Sequence, residues 1–413
     1  MKKQFIFFPN RPFSRSILNK IAWSSIGFTM AITSCSQGQQ PLQGQADSLF
    51  LPGDSAAVQV IQQDGTSTKK IKLAILLDTS GSMDGLIEQA KNQLWKIVNQ
   101  LAKAKDKDGN DPTIEIALYH YGNDGNSVLD GYVQKISGFT SELDEISEQL
   151  FALRTNGGSE YCGTVIQKSI QELAWSSNPE DLQLIFIAGN EGFNQGTISY
   201  EAACGLAAQK NVFVNTIFCG DFNQGINMNW QSGAMITKGK YMNINSDAQV
   251  VHINSPYDAQ INQLNVQLNN TYITYGRLAE VKKEKQVKQD ENAESLGSAN
   301  MAKRVLSKGG KAYYNYSWDL VDASTKTDFN FKDIKKENLP KEMQGLTETE
   351  QLKYIEAKKQ ERISIQKQIG ELGKKRAEFV ALEKAKLSGE NQLDDAIIKA
   401  IVAQAKSKAY TFE

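Results

Sequence analysis

Three runs of this chain are apolar at nearly every position, and each opens onto small residues: IKLAILLD at 71–78, LQLIFIAG at 182–189 and VFVNTIFCG at 212–220. A strand of that composition has no face to give to water, so it belongs in a sheet covered by helices on both sides. The segments between the runs change period. Residues 86–104 place Leu86, Ala90, Leu94, Ile97, Val98 and Leu101 on one helical stripe. Helices are also predicted over 141–153, with Ser141 as cap, over 165–175, over 200–210 and from near Pro256. TIEIALYHY at 113–121 alternates as a strand, and short strands are predicted at 131–137 and 240–245. Strand–helix alternation of this kind predicts an α/β fold: a doubly wound, mainly parallel sheet. In such sheets ligands bind at the carboxyl ends of the strands.

The chain has 413 residues, long for one domain, and its formal net charge of −1 gives no basic field for nucleic acid. Its first residues read as a targeting segment. Lys2, Lys3, Arg11, Arg15 and Lys20 precede the apolar stretch IAWSSIGFTMAI, which ends in ITSC at Cys35. Small residues before a cysteine resemble the bacterial lipoprotein lipobox. The resemblance implies cleavage before Cys35, acylation there and stable anchoring to a membrane. Residues 1–34 are then signal peptide and 35–69, rich in Gln, Gly and Ser, a flexible tether. Ser36, with no acidic cluster after it, favours the periplasmic face of an outer membrane. Three further cysteines are present: Cys162, Cys204 and Cys219. A Cys204–Cys219 disulfide is the preferred pairing, and three buried free thiols are the alternative.

Residues 70–276 are assigned to the α/β domain and 277–413 to a helical C-terminal region. The latter holds an aromatic island, Tyr313, Tyr314, Tyr316 and Trp318, read as a docking surface on its own domain. A long helix follows from about Leu346, with Thr347 or Thr349 as cap and Glu350 completing a capping box after Thr347. Its seam of Leu352, Ile355, Ile363, Ile369, Leu372 and Phe379 is interrupted by Arg362 and Arg376; a coiled-coil dimer is an alternative that so irregular a seam does not favour. A second helix over 392–406 predicts a helical hairpin.

The chemistry sits where the first apolar run ends. Asp78, Ser80 and Ser82 put three oxygen side chains at alternate positions of a tight loop. Such a set suits Mg²⁺ or Mn²⁺ rather than zinc, which prefers nitrogen and sulfur. DTSGSM, the strand–helix order around it, and TNGGSEYCGTVIQKSI at 155–170 together resemble the von Willebrand factor A domain and its metal-ion-dependent adhesion site. The resemblance covers about Lys70 to Asn270. It implies a third metal position at Ser159, with Thr155 as the local alternative. The family commonly ends its central strand in Thr-Asp-Gly. Here Gly189 stands at the aspartate position, with Asn190 and Glu191 following as substitute oxygen donors.

Other motifs are weaker. DKDGND at 106–111 reads as a solvated turn, because its glycine is misplaced for a calcium loop. His120 and His252 read as packing residues, and Glu160 and Tyr161 flank the metal loop. Nothing in the sequence points to an enzyme. The expected function is a lipid-anchored envelope protein whose divalent cation is completed by an acidic residue of a protein partner. The alternative is a structural envelope protein with a vestigial site that binds through its C-terminal helices.

Overall fold

The structure, a computed structural model, describes residues 69–244, 253–386 and 392–412. Cys35, the tether and His252 lie outside the described residues.

The main sheet has six strands: β1 (Lys70–Asp78), β3 (Thr113–Tyr121), β4 (Gln134–Thr140), β5 (Leu182–Gly189), β6 (Phe213–Cys219) and β7 (Tyr241–Ile244). Their order is β4-β3-β1-β5-β6-β7, parallel throughout except for β4. The apolar runs take the inner places, and all eight residues of β5 are buried. β1 lies between β3 and β5, where the winding reverses. Its last residue, Asp78, pairs in register with Tyr121, and Leu77 pairs with Ala188. The chain therefore carries Asp78 to the switch point of the sheet, where the loops on either side diverge and leave a crevice.

Helices cover both faces. α3 (Cys162–Glu172), α4 (Tyr200–Gln209) and α6 (Trp230–Ile236) close one face around Val165, Ile187, Phe193 and Trp230. A short α5 (Phe222–Asn227) precedes α6. α1 (Asp84–Leu101) and α2 (Leu143–Ala152) begin the other face. That second core continues without a break into α7 (Asp258–Asn269), α8 (Ala279–Ser295), α9 (Ser298–Lys308), the long α12 (Glu348–Lys386) and α13 (Gln392–Ser407). Short helices α10 (Leu320–Ala323) and α11 (Lys341–Gln344) bound a satellite cluster around Ile273, Val321, Met343 and Ile355. A two-stranded sheet pairs β2 (Ala104–Lys105) with β8 (Thr411–Phe412), so the last described residues return to the end of α1. The described residues form one compact unit.

Several local expectations shift. Gly131 and Tyr132 both have positive φ, 68° and 57°, so they form a turn and β4 starts at Gln134 rather than at 131. Ser141 does not cap α2. The helix begins after Glu142, whose N–H donates to Thr140 Oγ1 at 3.0 Å. The capping box of α12 is present: Thr347 N–H and Oγ1 both donate to Glu350 Oε2, at 2.8 and 2.7 Å. The long helix holds, but α12 and α13 are not packed as a hairpin. α12 lies mainly against α7, α9 and α10, and α13 against β7, α1 and β8.

The Cys204–Cys219 disulfide is not formed, and Cys162, Cys204 and Cys219 are all free and buried. The reason is topological. Cys204 packs in the core beneath α4, while Cys219 belongs to the core on the opposite face, and the sheet stands between them.

Two interruptions of the α12 seam are its anchors. Arg362 Nη1 meets Asp319 Oδ2 at 2.6 Å and Asp322 Oδ1 at 2.8 Å, while Nε and Nη2 donate to Thr271. Its guanidinium lies over the Tyr272 ring, 4.1 Å from the centroid. Arg376 pairs with Asp258 at the start of α7, at 2.8 Å. A third buried cluster joins α9 to α2 and α8. Arg304, fully buried, reaches Asp144 at 2.6 Å and Asp290 at 2.8 Å, and Lys308 reaches Asp290 at 2.7 Å.

Candidate functional site

Four loops meet above the carboxyl ends of β1, β3 and β5: the loops that follow these strands, and the loop from α2 to α3. Thr79 ties the loop after β3 and the α2–α3 loop to the loop after β1. Its N–H donates to Tyr121 O, and its carbonyl accepts from the Asn156 N–H at 3.0 Å and from Asn123 Nδ2 at 3.2 Å. The Thr79 hydroxyl meets His120 Nδ1 at 2.8 Å, and the other ring nitrogen meets Gln134 Oε1, so His120 is a packing residue.

Inside this frame Asp78 is buried. Its Oδ1 accepts the Ser80 N–H at 2.8 Å. Its Oδ2 is buried and accepts no well-formed hydrogen bond among the described residues, with the Asn190 backbone near enough to favour the charged carboxylate. Ser80 Oγ and Ser82 Oγ stand 3.4 Å apart, and Asn190 Nδ2 donates to Ser82 Oγ at 2.9 Å. The other side of that amide, Asn190 Oδ1, is a second buried acceptor without a donor. Burial pushes the Asp78 carboxyl up to about 7, with the nearby Glu160 charge adding to it and hydrogen bonds from Ser80 opposing it. Glu160 is also raised, by burial and by the like charges of Glu191 and Asp124.

The third loop is shaped by close packing. A Cβ on Gly189 would lie 2.6 Å from Tyr121 Oη and 3.1 Å from Asp78 Oδ2. Tyr121 Oη is held there by its bond to Ala188 O at 3.0 Å. A side chain at 189 has no room, and the nearest side-chain oxygen of this loop is that of Asn190, whose amide donates to Ser82 Oγ. Gly122 is constrained from the other side. Its φ is +72°, and a Cβ would meet Asp78 Oδ1 at 2.8 Å.

Of the residues singled out in the sequence, the fold brings Asp78, Ser80 and Ser82 together. Ser159 is half-buried and makes no hydrogen bond to them among the described residues; its neighbour Glu160 lies close enough to Ser80 for that side chain to favour its charged form. Glu191 is exposed and accepts from Gln195 Nε2 at 3.3 Å, while its carbonyl accepts from Trp230 Nε1. Asn190 therefore reaches the site and Glu191 borders it. Sequence reasoning missed Thr79 and Asn123, the residues that lock the loops together. Their only sequence signal is position, one residue after the end of β1 and two after the end of β3.

Asp106 accepts the backbone N–H groups of Asp108 and Asn110, as a turn does. The aromatic island divides: Tyr313 and Trp318 are buried, and Tyr314 and Tyr316 stack on each other at 5.0 Å on the outside.

The donor set can be tested against a cation. Two buried oxygens without donors, two adjacent hydroxyls and a second carboxylate within hydrogen-bonding reach of Ser80 are hard ligands, suited to Mg²⁺ or Mn²⁺. The set fits. No group of three or more His, Cys, Asp or Glu poised for a metal occurs among the described residues, so any such site leans on hydroxyl and amide oxygens.

Residues 72–254 match the profile of the von Willebrand factor type A domain, and the chain contains a domain of that family. Similar solved structures include the SpRpn10 VWA domain, at 16% identity over 44% of this chain and 90% of that one, with a TM-score of 0.32. BatB from Bacteroides thetaiotaomicron aligns at 14% identity over 54% of this chain and 99% of that one, with a TM-score of 0.32. A proximal thread matrix protein of the mussel byssus, with a zinc-occupied MIDAS motif, aligns at 15% identity over 44% and 43% of the two chains, with a TM-score of 0.32. No curated protein matches the chain.

Proposed function

We propose that this chain is a lipid-anchored envelope protein whose A domain holds a divalent cation and offers it to a carboxylate of a protein partner. Domains of this family generally mediate protein–protein interaction. Asp78, Ser80 and Ser82 would hold the ion, with Asn190 and Glu160 beside them; Ser159 and Glu191, one residue from these, complete the candidate set. The observation that carries the reading is the pair of donorless buried acceptors, Asp78 Oδ2 and Asn190 Oδ1. A buried carboxylate oxygen without a partner is costly, and a cation supplies what it lacks. A bound divalent ion draws carboxylate oxygens toward it. With few protein charges around it, the ion keeps that capacity for a partner's Asp or Glu.

The orientation agrees with anchoring. β1 runs from Lys70 to Asp78, so the chain arrives at the end of the sheet opposite the site. No helix among the described residues is long and apolar enough to cross a membrane. Acylation at Cys35 and an outer-membrane, periplasm-facing location are part of the proposal.

Isothermal titration of Mg²⁺ and Mn²⁺ tests it, with Asp78→Ala beside the unaltered protein. Binding lost in the variant is the expected result. The cation-free variant should stay folded, with an unfolding midpoint close to the parent's, because loss of a poorly satisfied buried carboxylate offsets the Ser80 N–H left without its acceptor. Absence of binding in both would move the function to the helical half.

A further inference from the structure

At the other end of the sheet from Asp78, a cleft of about 500 Å³ opens between the end of α4, the start of β6, the turn from α6 to β7, and α13. It exists because α13 returns to the sheet. The Asn215 and Gln404 side-chain amides bond each other reciprocally at 3.0 and 2.7 Å, and Gln404 lines the cleft. Its rim carries Lys238, Lys240 and Lys408, and no carboxylate lines it. The neighbouring lysines differ. Lys69 and Lys107 pair with Glu180, Lys70 and Lys72 with Glu115, and Lys105 with Asp111. Lys238 and Lys240 are exposed and have no acidic partner among the described residues. Lys238 also sits at a φ of +58°, in the tight turn from α6 to β7 that forms the mouth of the cleft. Lys408 donates to Pro179 O at 2.8 Å and adds its charge from the far rim. Phe213 and Ile236 supply an apolar wall.

We propose that this cleft binds a phosphate-bearing anion, with Lys238 and Lys240 as its principal donors. Ammonium groups act as point charges toward phosphate, and a cleft of one sign with low-dielectric walls concentrates its counter-ion. The apolar wall suits a phosphate that carries a hydrocarbon or glycerol portion. The chain enters the domain at the same end: Lys69 Nζ donates to Lys408 O at 3.4 Å. The headgroup of an anionic phospholipid is therefore one source of this chemistry, and a soluble phosphate the other. The inference does not depend on the cation site.

Calorimetric titration of the full chain in neutral detergent tests it, with four probes: inorganic phosphate, pyrophosphate, dihexanoyl phosphatidylglycerol and dihexanoyl phosphatidylcholine. Binding of phosphatidylglycerol or of the inorganic probes, weakened about tenfold or more by Lys238→Gln/Lys240→Gln, is expected. The control is Lys335→Gln/Lys336→Gln, two lysines remote in sequence, which should bind as the parent does. Phosphatidylglycerol bound in preference to the inorganic probes assigns the lipid source; equal or stronger binding of the inorganic probes assigns a soluble ligand. No binding by any probe, or binding that survives the double substitution, overturns the proposal. An unchanged denaturant midpoint in the double variant shows that the fold is intact.

Discussion

Gly189 is where a single residue separates this domain from the pattern it resembles. The missing aspartate reads from sequence as a lost ligand, yet the space it would need is filled by Tyr121 Oη and bounded by Trp230. Gly189→Asp should therefore not strengthen cation binding. It should destabilise the protein by about 1–3 kcal/mol through overpacking, measured as a lower urea midpoint. Adding Tyr121→Phe removes the hydroxyl in conflict and should recover part of that loss. The Asp-x-Ser-x-Ser triplet was legible because its residues are neighbours in sequence at the end of an apolar run. Asn190 and Glu160 were named only as candidates or flanks, because their roles depend on loops more than a hundred and about eighty residues from Asp78.

At the scale of elements, strands and helices follow from period and burial, and both appear in the sequence directly. What the pattern does not reveal is the meaning of an arginine in an apolar seam. In α12, Arg362 and Arg376 read as breaks, whereas each is buried and paired with aspartates that lie far away in sequence. Arg362→Ala should cost about 3–5 kcal/mol, because it leaves Asp319 and Asp322 buried without their cation. Arg362→Lys should rescue little, since an ammonium cannot span two carboxylates, Thr271 and the Tyr272 face together. Asp322 is already pushed up to about 6 by burial and by Asp319, with Arg362 opposing. Without Arg362 the folded state holds a proton there more tightly than the unfolded chain. Its folded-state value is then higher than the parent's, so the variant's stability deficit should shrink as pH falls toward about 6 and level off below it, where the parent's Asp322 is protonated too. The urea midpoints should converge and then run parallel.

At the scale of the molecule, the A domain and the helices after it share one core, so neither is an appendage of the other. Truncation after Tyr275 would strip α8, α9, α12 and α13 from the face around Leu94, Trp95 and Leu101. The expected product has lost cooperative unfolding by circular dichroism and amide protection in β1 and β6. The joint is electrostatic as well as apolar. Burial raises Asp290, but Lys308 and Arg304 outweigh it and hold the carboxyl well below the usual carboxylate range. Its contribution is thus present above the ordinary carboxylate value and lost as pH falls through the depressed one. Asp290→Asn should lower the urea midpoint at pH 7, and that deficit should narrow at strongly acid pH. The sequence by itself determined the strand–helix alternation, the parallel sheet, the long capped helix and the triplet at the tip of β1, because each rests on residues close together in the chain. Tertiary structure alone decided which oxygens surround Asp78, why no side chain fits at 189, why the thiols stay unpaired, and what the buried arginines grip. Each of those depends on groups that only the fold brings within a few ångströms.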